Sequence, residues 1–376
     1  MKFRIEKNTF TKLLSSVCNV ASKKNPNNPT ILQNIKIETK DNFLYLTGTD
    51  SDTYIKDMCK VVIEEEGKTT VPALLIYDIV KKMEKDTEIE CEYSKEENFL
   101  FVKGGKSKFK LMCLDADGYP NFEEQQMQIE FKINPKDLVN LIDKTRFSIS
   151  DDASRYYLNG LFLQTRDDED GRKLVGVSTD GHKLSVITLN YFNGKDPVNG
   201  IIIPKKTLPE IKKILLSSTK EEVIISLSKT KIKIETEDTI IISKLIDADF
   251  PDYKKVIPQE NNKILNVEKS VLSSTIDRVA TIVNEGNKSI KFLLTKNNLN
   301  LESNSAENGT ATEDLTVNFD YDDKIEMGFN SKFMLDFFTA VESDRIDIYF
   351  KDSSSAIIIK GCEEPNNVYI LMPIRI

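Results

Sequence analysis

The chain has 376 residues, 39% hydrophobic and 30% charged, a composition typical of a globular protein too long for one ordinary core. Its 60 acidic and 52 basic residues give a net charge of −8, so any contact with nucleic acid needs a locally basic surface. No apolar run could span a bilayer, and the first residues, MKFRIEKNTF, lack the apolar segment of a signal peptide. We expect two or three domains and a cytoplasmic protein, and we exclude a membrane protein.

An apolar pattern near the start of the chain recurs twice. FRIEKNTFTKLL, from Phe3, first alternates apolar and polar residues and then spaces apolar residues by three and four, which predicts a strand followed by a helix. FKINPKDLVNLI, from Phe131, and LNVEKSVLSSTI, from Leu265, repeat this pattern. In the second copy Asn134 and Pro135 suit the N-cap and the first helical position, so this helix should begin there.

Two further landmarks indicate that a whole unit is repeated. VPALLIYDIVKKM, IPKKTLPEIKKIL and FNSKFMLDFFTAV each predict a strand end that leads into a second helix. CLDADGYPNF closes the first unit as LIDADFPDY closes the second, while the third ends in ILMPIRI. The polar segments 121–128 and 257–263 are predicted linkers. We predict an α+β protein of three domains, at residues 1–125, 126–258 and 259–376, each with two helices and roughly eight strands.

The five cysteines do not suggest a covalent framework. They are odd in number and none is paired as CxxC, which fits neither a set of disulfides nor a zinc site. We therefore predict buried free thiols at Cys18, Cys59, Cys91, Cys113 and Cys362.

The only histidine, His182, lies in STDGHKLSV between Asp180 and Lys183, which raises the question of a catalytic base. The GxSxG turn of a serine hydrolase is absent, and a single histidine leaves few ligands for a metal site. LFVKGGKSKF lacks the first P-loop glycine, because Leu100 stands in its place, and GxGxxG does not occur. The acidic runs 64–66 and 167–170 are typical of solvated loops. The sequence thus predicts no enzyme, no cofactor and no metal site.

Four motifs then carry a resemblance to a known family. RYYLNG at 155–160, TDGHKL at 179–184, DADFPDYKKVIP at 247–258 and a terminal MPIRI follow the opening MKF and LTGTD in order. In these motifs and in its three repeats the chain resembles the bacterial DNA polymerase III beta subunits, the sliding clamps, over essentially its whole length. The resemblance implies half of a head-to-tail dimeric ring, with sheets outside and helices around a hole that encircles duplex DNA, and no active site.

The resemblance also implies the function and the partners. We expect a processivity factor that tethers the replicative DNA polymerase alpha subunit, the clamp loader, other polymerases and repair proteins through short linear motifs. The loader is expected to be driven by ATP. Duplex DNA should be encircled without sequence specificity, and the chain should form a homodimer. Two alternatives remain at this point: an intracellular scaffold that binds peptides but no DNA, and a hydrolase built around His182.

By the same resemblance, His182 becomes a wall of a hydrophobic peptide pocket between the second and third domains. The implied lining is Arg155, Tyr157, Leu158, Thr179, Gly181, His182, Lys183, Leu184, Pro251, Lys255, Val256, Asn330, Phe333, Ile370, Met372, Pro373 and Ile374.

The dimer and DNA surfaces are implied in the same way. The implied dimer interface consists of Lys106, Lys108, Phe109, Ile282, Val283 and Glu313, and the implied DNA-facing residues are Lys23, Lys24, Arg146, Tyr156, Lys205 and Lys206. The predicted helices carry further cations that favour an electropositive hole in a net acidic chain, namely Lys12, Lys81, Lys82, Lys144, Lys212, Lys213 and Arg278.

The chain departs from the family pattern at several of these places. Arginine is common in the family where Lys183 and Lys255 stand, so a point charge replaces a bidentate donor and peptide preference should differ. Asp152 stands where a glutamine is common, and the loop with Lys23 and Lys24 lacks an arginine. Ser354 and Ala356 replace a valine and a serine on the far wall of the pocket.

Overall fold

The computed structural model describes residues 1–21, 30–121, 127–283 and 288–375. Within these ranges the chain forms six α-helices, and none of them is long and apolar enough to cross a membrane. The helices are α1 Lys7–Val17, α2 Ala73–Lys82, α3 Pro135–Thr145, α4 Leu208–Ser217, α5 Lys269–Ala280 and α6 Ser331–Ala340.

The same ranges contain twenty-six strands. The first thirteen are β1 Lys2–Glu6, β2 Asn34–Lys40, β3 Phe43–Thr49, β4 Thr53–Lys60, β5 Val62–Glu65, β6 Gly67–Pro72, β7 Glu88–Ser94, β8 Phe99–Gly104, β9 Ser107–Met112, β10 Ile129–Ile133, β11 Gly160–Asp168, β12 Gly171–Thr179 and β13 Lys183–Leu189. The others are β14 Asn193–Gly194, β15 Ile201–Pro204, β16 Val223–Leu227, β17 Lys231–Glu235, β18 Thr239–Lys244, β19 Lys263–Glu268, β20 Ser289–Thr295, β21 Asn298–Ser305, β22 Gly309–Thr316, β23 Ile325–Asn330, β24 Arg345–Phe350, β25 Ile357–Gly361 and β26 Asn367–Leu371.

The repeated apolar pattern forms a strand and a helix in all three places, as β1 with α1, β10 with α3 and β19 with α5. Asn134 caps α3 as expected, because its Oδ1 accepts from the amide of Lys136 at 2.9 Å. The residues of the pattern are buried in every copy, which explains the spacing: Phe3, Ile5, Phe10, Leu13, Leu14, Phe131, Ile133, Leu138, Leu141, Ile142, Leu265, Val267, Leu272, Thr275 and Ile276.

The strands form four antiparallel sheets in two compact units. The first unit comprises residues 1–139, 193–196 and 206–245, and it contains a five-stranded sheet, β5-β1-β7-β8-β9, and a nine-stranded sheet, β14-β10-β16-β17-β18-β4-β3-β2-β6. The second comprises residues 140–192, 197–205 and 246–376, with an eight-stranded sheet, β15-β11-β12-β13-β26-β25-β24-β19, and a four-stranded sheet, β22-β21-β20-β23.

Each large sheet joins strands from two consecutive repeats of the sequence. In the first unit β18 pairs with β4, where Ile241 lies opposite Ile55. In the second unit β13 pairs with β26, where Leu184 lies opposite Ile370. The compact units therefore cut across the repeats, because inter-strand hydrogen bonds continue across the repeat boundary.

Free thiols are confirmed, although one of them is not buried. Cys18, Cys91 and Cys113 are buried and Cys59 is half-buried, and burial raises the pKa of the Cys18 thiol to about 12. The prediction is wrong for Cys362, which is exposed. Cys362 directly follows β25, where the chain has left the sheet for a surface turn.

Candidate functional site

The second unit contains a cavity of about 210 Å³ on its eight-stranded sheet. We call this cavity the pocket. It is lined by Arg155, Tyr157, Leu158, Thr179, Gly181, His182, Lys183, Leu184, Pro251, Asp252, Tyr253, Val256, Ile370 and Met372.

One wall of the pocket is the tight turn between β12 and β13. The hydroxyl of Thr179 donates to the carbonyl of Lys183 at 2.7 Å, and Oδ1 of Asp180 accepts from the amides of His182 and Lys183 at 2.8 and 2.9 Å. Gly181 has φ of +91°, a conformation that favours glycine. The turn thereby fixes the backbone of His182 at the end of two central strands of the sheet.

The Asp180 carboxylate forms its hydrogen bonds within this turn. Burial acts to raise the pKa of its carboxyl, but hydrogen bonds from the Lys183 ammonium and from the two amides outweigh burial and hold the pKa below its usual range. Its Oδ2 accepts from Lys183 Nζ at 2.8 Å, and that ammonium also lies 3.6 Å from the centre of the Phe333 ring. The carboxylate serves the turn and Lys183 rather than the His182 imidazole, so the geometry is not that of a catalytic triad.

A second wall is the short 3₁₀ helix Ala153–Leu158. Leu158 is buried and Tyr157 lies beside it on the lining. Arg155 Nε donates to Oδ2 of Asp152 at 2.9 Å. Its Nη1 lies against Gly181, where an added Cβ would be 2.8 Å from it, so the guanidinium reaches the first wall.

The third wall is the segment that leads out of the second repeat. Tyr253 is buried, and its hydroxyl accepts from Gln164 Nε2 at 2.7 Å. Just before it, Phe250 stacks on Phe162 with ring centres 4.6 Å apart. These contacts fix the segment on the sheet and leave Val256 48% exposed at the opening.

The chain end supplies the fourth wall. The amide of Met372 donates to the carbonyl of His182 at 2.9 Å, which continues the pairing of β26 with β13. Ile370 is buried, whereas Met372 is 37% exposed. Beneath the pocket lies a packed apolar cluster that includes Val175, Val177, Leu184, Val186, Tyr253, Ile358 and Ile370.

The pocket is therefore a mainly apolar recess on the eight-stranded sheet, with charged groups at its edge. Such a recess can bury an apolar side chain of a ligand. Among the residues that the structure describes, no group of three histidine, cysteine or acidic side chains is placed to hold a metal ion.

Comparisons with known proteins cover the whole chain. Three family models match in order: DNA polymerase III beta subunit, N-terminal domain, at residues 1–123, the central domain at 132–252, and the C-terminal domain at 254–375. The beta sliding clamp of Caulobacter vibrioides is 33% identical over 376 residues, and that of Escherichia coli K12 is 30% identical over 377, each with full coverage of both chains.

Comparison with solved structures gives the same result as the family models. The DnaN sliding clamp from Bartonella birtlesii bound to griselimycin superimposes with a TM-score of 0.95 at 33% identity, and the Pseudomonas aeruginosa clamp bound to griselimycin does so at 0.92 and 30%, both covering 100% of each chain. The chain belongs to the DNA polymerase III beta subunit family, the beta sliding clamps. It acts as a sliding clamp, a processivity factor and not an enzyme, and homodimeric rings are a feature of the family. Family membership decides against both the hydrolase and the scaffold that binds no DNA.

The structure brings together most of the residues that the beta subunit resemblance assigned to the pocket. Twelve of them line the cavity: Arg155, Tyr157, Leu158, Thr179, Gly181, His182, Lys183, Leu184, Pro251, Val256, Ile370 and Met372. Asp252 and Tyr253 also line it and were missed, although both lie inside the motif DADFPDYKKVIP. A short 3₁₀ helix at Tyr253–Val256 brings these consecutive residues to one surface.

Five assigned residues do not line the cavity. Lys255 is exposed and pairs with Asp252 at 3.4 Å. Asn330 caps α6 by accepting from the amide of Phe333, whose ring instead contacts Lys183. Pro373 and Ile374 follow Met372 and lie outside the lining. The amide of Ile374 donates to the carbonyl of Gly328 at 2.8 Å.

The residues assigned to the clamp's dimer interface lie at sheet edges and next to α5. Lys108 and Phe109 are on β9, the edge strand of the five-stranded sheet, and Lys106 is in the turn before it. Glu313 is on β22, the edge of the four-stranded sheet, where Arg278 Nε donates to it at 3.1 Å. Ile282 and Val283 follow α5 and are half-buried.

The residues assigned to the DNA surface differ in exposure and in whether they form ion pairs within the chain. Tyr156 and Arg146 are exposed. Lys205 pairs with Asp151 at 2.6 Å, and Lys206 pairs with Asp50 and Asp52. Lys23 and Lys24 lie outside the described residues.

One of the helix cations expected to contribute to an electropositive hole is not exposed to solvent. Lys144 is buried, and its ammonium contacts Glu342 at 3.2 Å and Glu364 at 3.1 Å. It cannot contribute to an electropositive hole, because its charge is neutralised inside the second unit.

The buried pair Asp180–Lys183 should stabilise the turn measurably. Lys183→Met would leave the half-buried Asp180 carboxylate without its cation, so we expect a loss of about 1–3 kcal/mol in the free energy of unfolding. Urea denaturation measures this loss. Lys255→Met is the matched control, because that pair is exposed and should change stability little. Equal effects of the two substitutions would contradict the role of the buried pair.

Proposed function

We propose that the pocket of this sliding clamp binds short linear peptides that bury leucine or phenylalanine side chains in it. The peptides would come from the replicative DNA polymerase alpha subunit, the clamp loader, other polymerases and repair proteins. The observation that carries the proposal is the apolar recess itself, which is backed by a packed cluster and opens between Val256 and Met372. The two relatives solved with griselimycin support a ligand-binding surface in this family.

Two features of the lining suit several different peptides. Met372 is partly exposed and unbranched, so its side chain repacks readily around different anchors. His182 contributes the edge of the recess through a backbone that its turn and Met372 hold in place. The fixed backbone and the adaptable side chain together suit peptides that differ in the size and shape of their apolar anchors.

Removing the Met372 wall should weaken peptide binding strongly. Burial of a leucine or phenylalanine side chain contributes roughly 1.5–3 kcal/mol, which corresponds to ten- to hundred-fold in affinity. We expect this loss for Met372→Ala and for a chain that ends at Leu371, and a smaller loss for His182→Ala. Calorimetric titration with a polymerase-derived peptide measures all three.

Dimerisation and thermal unfolding serve as controls and should match wild type. Unchanged peptide affinity in the shortened chain would show that the pocket has been assigned wrongly.

We also propose that the family's dimer forms here by pairing β9 of one copy with β22 of the other. Both are edge strands, and such strands present unpaired backbone groups to another chain. Phe109 would meet Ile282 and Val283 in a small apolar centre, with Lys106 and Lys108 facing acidic residues near Glu313. This arrangement gives an apolar core and a charged rim.

Disrupting the apolar centre should yield monomers. Ile282→Ala combined with Val283→Lys removes apolar area and places a charge in the apolar centre of the interface. Sedimentation should then report 42.8 kDa, the mass of one chain, in place of twice that mass. If the double variant still sediments as a dimer, the interface lies elsewhere.

For the DNA surface we propose that Arg146, Tyr156, Lys205 and Lys206 face the encircled duplex. Lys205 and Lys206 are each held by carboxylates of the same chain, so they attract phosphates weakly. Weak contacts suit sliding, because every tight phosphate contact would anchor the ring and steepen the dependence on salt.

Retention on DNA should therefore depend on topology. Clamps loaded on closed circular DNA should stay bound at moderate salt and should be lost once the circle is cut. Gel filtration of the loaded DNA before and after cutting measures the bound fraction. Equal retention on circular and linear DNA would argue against encirclement.

We propose domains at residues 1–125, 126–258 and 259–376, which the positions of the three family models support. We further propose a cytoplasmic location, where the chain would meet DNA and the polymerase.

A further inference from the structure

Three segments at the pocket each contain an aspartate three residues before a basic residue. In each segment the two side chains form an ion pair. The distances between the charged atoms are 2.9 Å for Asp152–Arg155, 2.8 Å for Asp180–Lys183 and 3.4 Å for Asp252–Lys255. We call them the rim pairs. They give the pocket edge cations whose charge is already balanced within the chain.

The three rim pairs differ in exposure. In the Asp180–Lys183 pair both side chains are largely buried, so this pair belongs to the turn. Lys255 is 80% exposed and does not line the cavity. Arg155 is intermediate, with 38% of its side chain exposed, and it does line the cavity. Arg155 is therefore the rim cation that a bound peptide can reach.

Asp152 is firmly held in its position beside Arg155. Its Oδ1 accepts from both the hydroxyl and the amide of Ser154, at 2.7 and 2.9 Å. These bonds, together with Arg155, lower the pKa of Asp152 to about 2, so it stays ionised across the physiological range. Its Oδ2 engages Nε of Arg155, while Nη1 extends toward Gly181.

We propose that Asp152 determines the charge preference of the pocket, because its carboxylate competes with acidic side chains of a bound peptide for the Arg155 guanidinium. The inference rests on the proposed peptide-binding function. An acidic peptide would gain little from Arg155 while Asp152 occupies it, whereas an uncharged peptide is unaffected. The pocket would then select ligands by their apolar anchors.

Two synthetic peptides test this. Both carry leucine and phenylalanine anchors, and they differ only in one intervening residue, aspartate or asparagine. Asp152→Asn keeps an oxygen that can accept from Ser154 but removes the competing charge. We expect it to tighten binding of the aspartate peptide about two- to five-fold at low salt, as for exposed ion pairs, and to leave the asparagine peptide unchanged. The gain should shrink as salt is raised.

Asp151→Asn is the matched control, since it makes the same change in net charge one residue away, and neither Asp151 nor its partner Lys205 lines the cavity. It should affect the two peptides alike. An equal gain for the aspartate peptide in both variants would show a general charge effect and overturn the inference. So would an equal gain for both peptides in Asp152→Asn.

The outcomes also separate this inference from the function on which it rests. If both peptides bind wild type and lose affinity in Met372→Ala, yet do not respond to Asp152→Asn, only the role of Asp152 is overturned. If neither peptide binds wild type, the proposed function fails and the inference fails with it.

Discussion

The pairing of β13 with β26 is the interaction on which the pocket depends. It joins residues nearly 190 positions apart and places the amide of Met372 on the carbonyl of His182. Leu184 and Ile370 meet in the same pairing and form part of the apolar cluster beneath the pocket. Without this pairing, the sheet would not hold the wall at His182 next to the wall at Met372. The pocket is thus a product of sheet continuity between two sequence repeats.

The first unit contains a turn with the same side-chain-to-backbone hydrogen bonds but with different surrounding side chains. In the turns 49–53 and 179–183 a threonine hydroxyl donates to the last carbonyl at 2.8 and 2.7 Å, and an aspartate Oδ1 accepts from the last amide at 2.7 and 2.9 Å. At the position of His182 the first turn has Asp52, whose carboxylate pairs with Lys244 at 3.1 Å. The same turn thus carries an ion pair in the first unit and lines the pocket in the second.

Local sequence patterns predicted the elements that depend on residues close together in the chain. Apolar spacing marked the strand and helix that begin each repeat, and Asn134 marked the start of α3. The lining of the pocket came from motif resemblance, because no local pattern indicates that Met372 meets His182. Lys144 was misjudged for the same reason. A lysine on a helix is usually exposed, and its partner Glu364 lies far along the chain.

The charges around the proposed ligand surfaces follow a common principle. Lys205 is held by Asp151, Lys206 by Asp52, and Arg155 by its own rim partner. A cation that already has a carboxylate beside it gains less from a phosphate or a peptide acid, because the new contact must replace an existing one. If these surfaces bind DNA and peptides as proposed, intrachain pairing would weaken electrostatic attraction at both of them. Retention on DNA would then depend on the closed ring, and peptide affinity would depend on apolar contact.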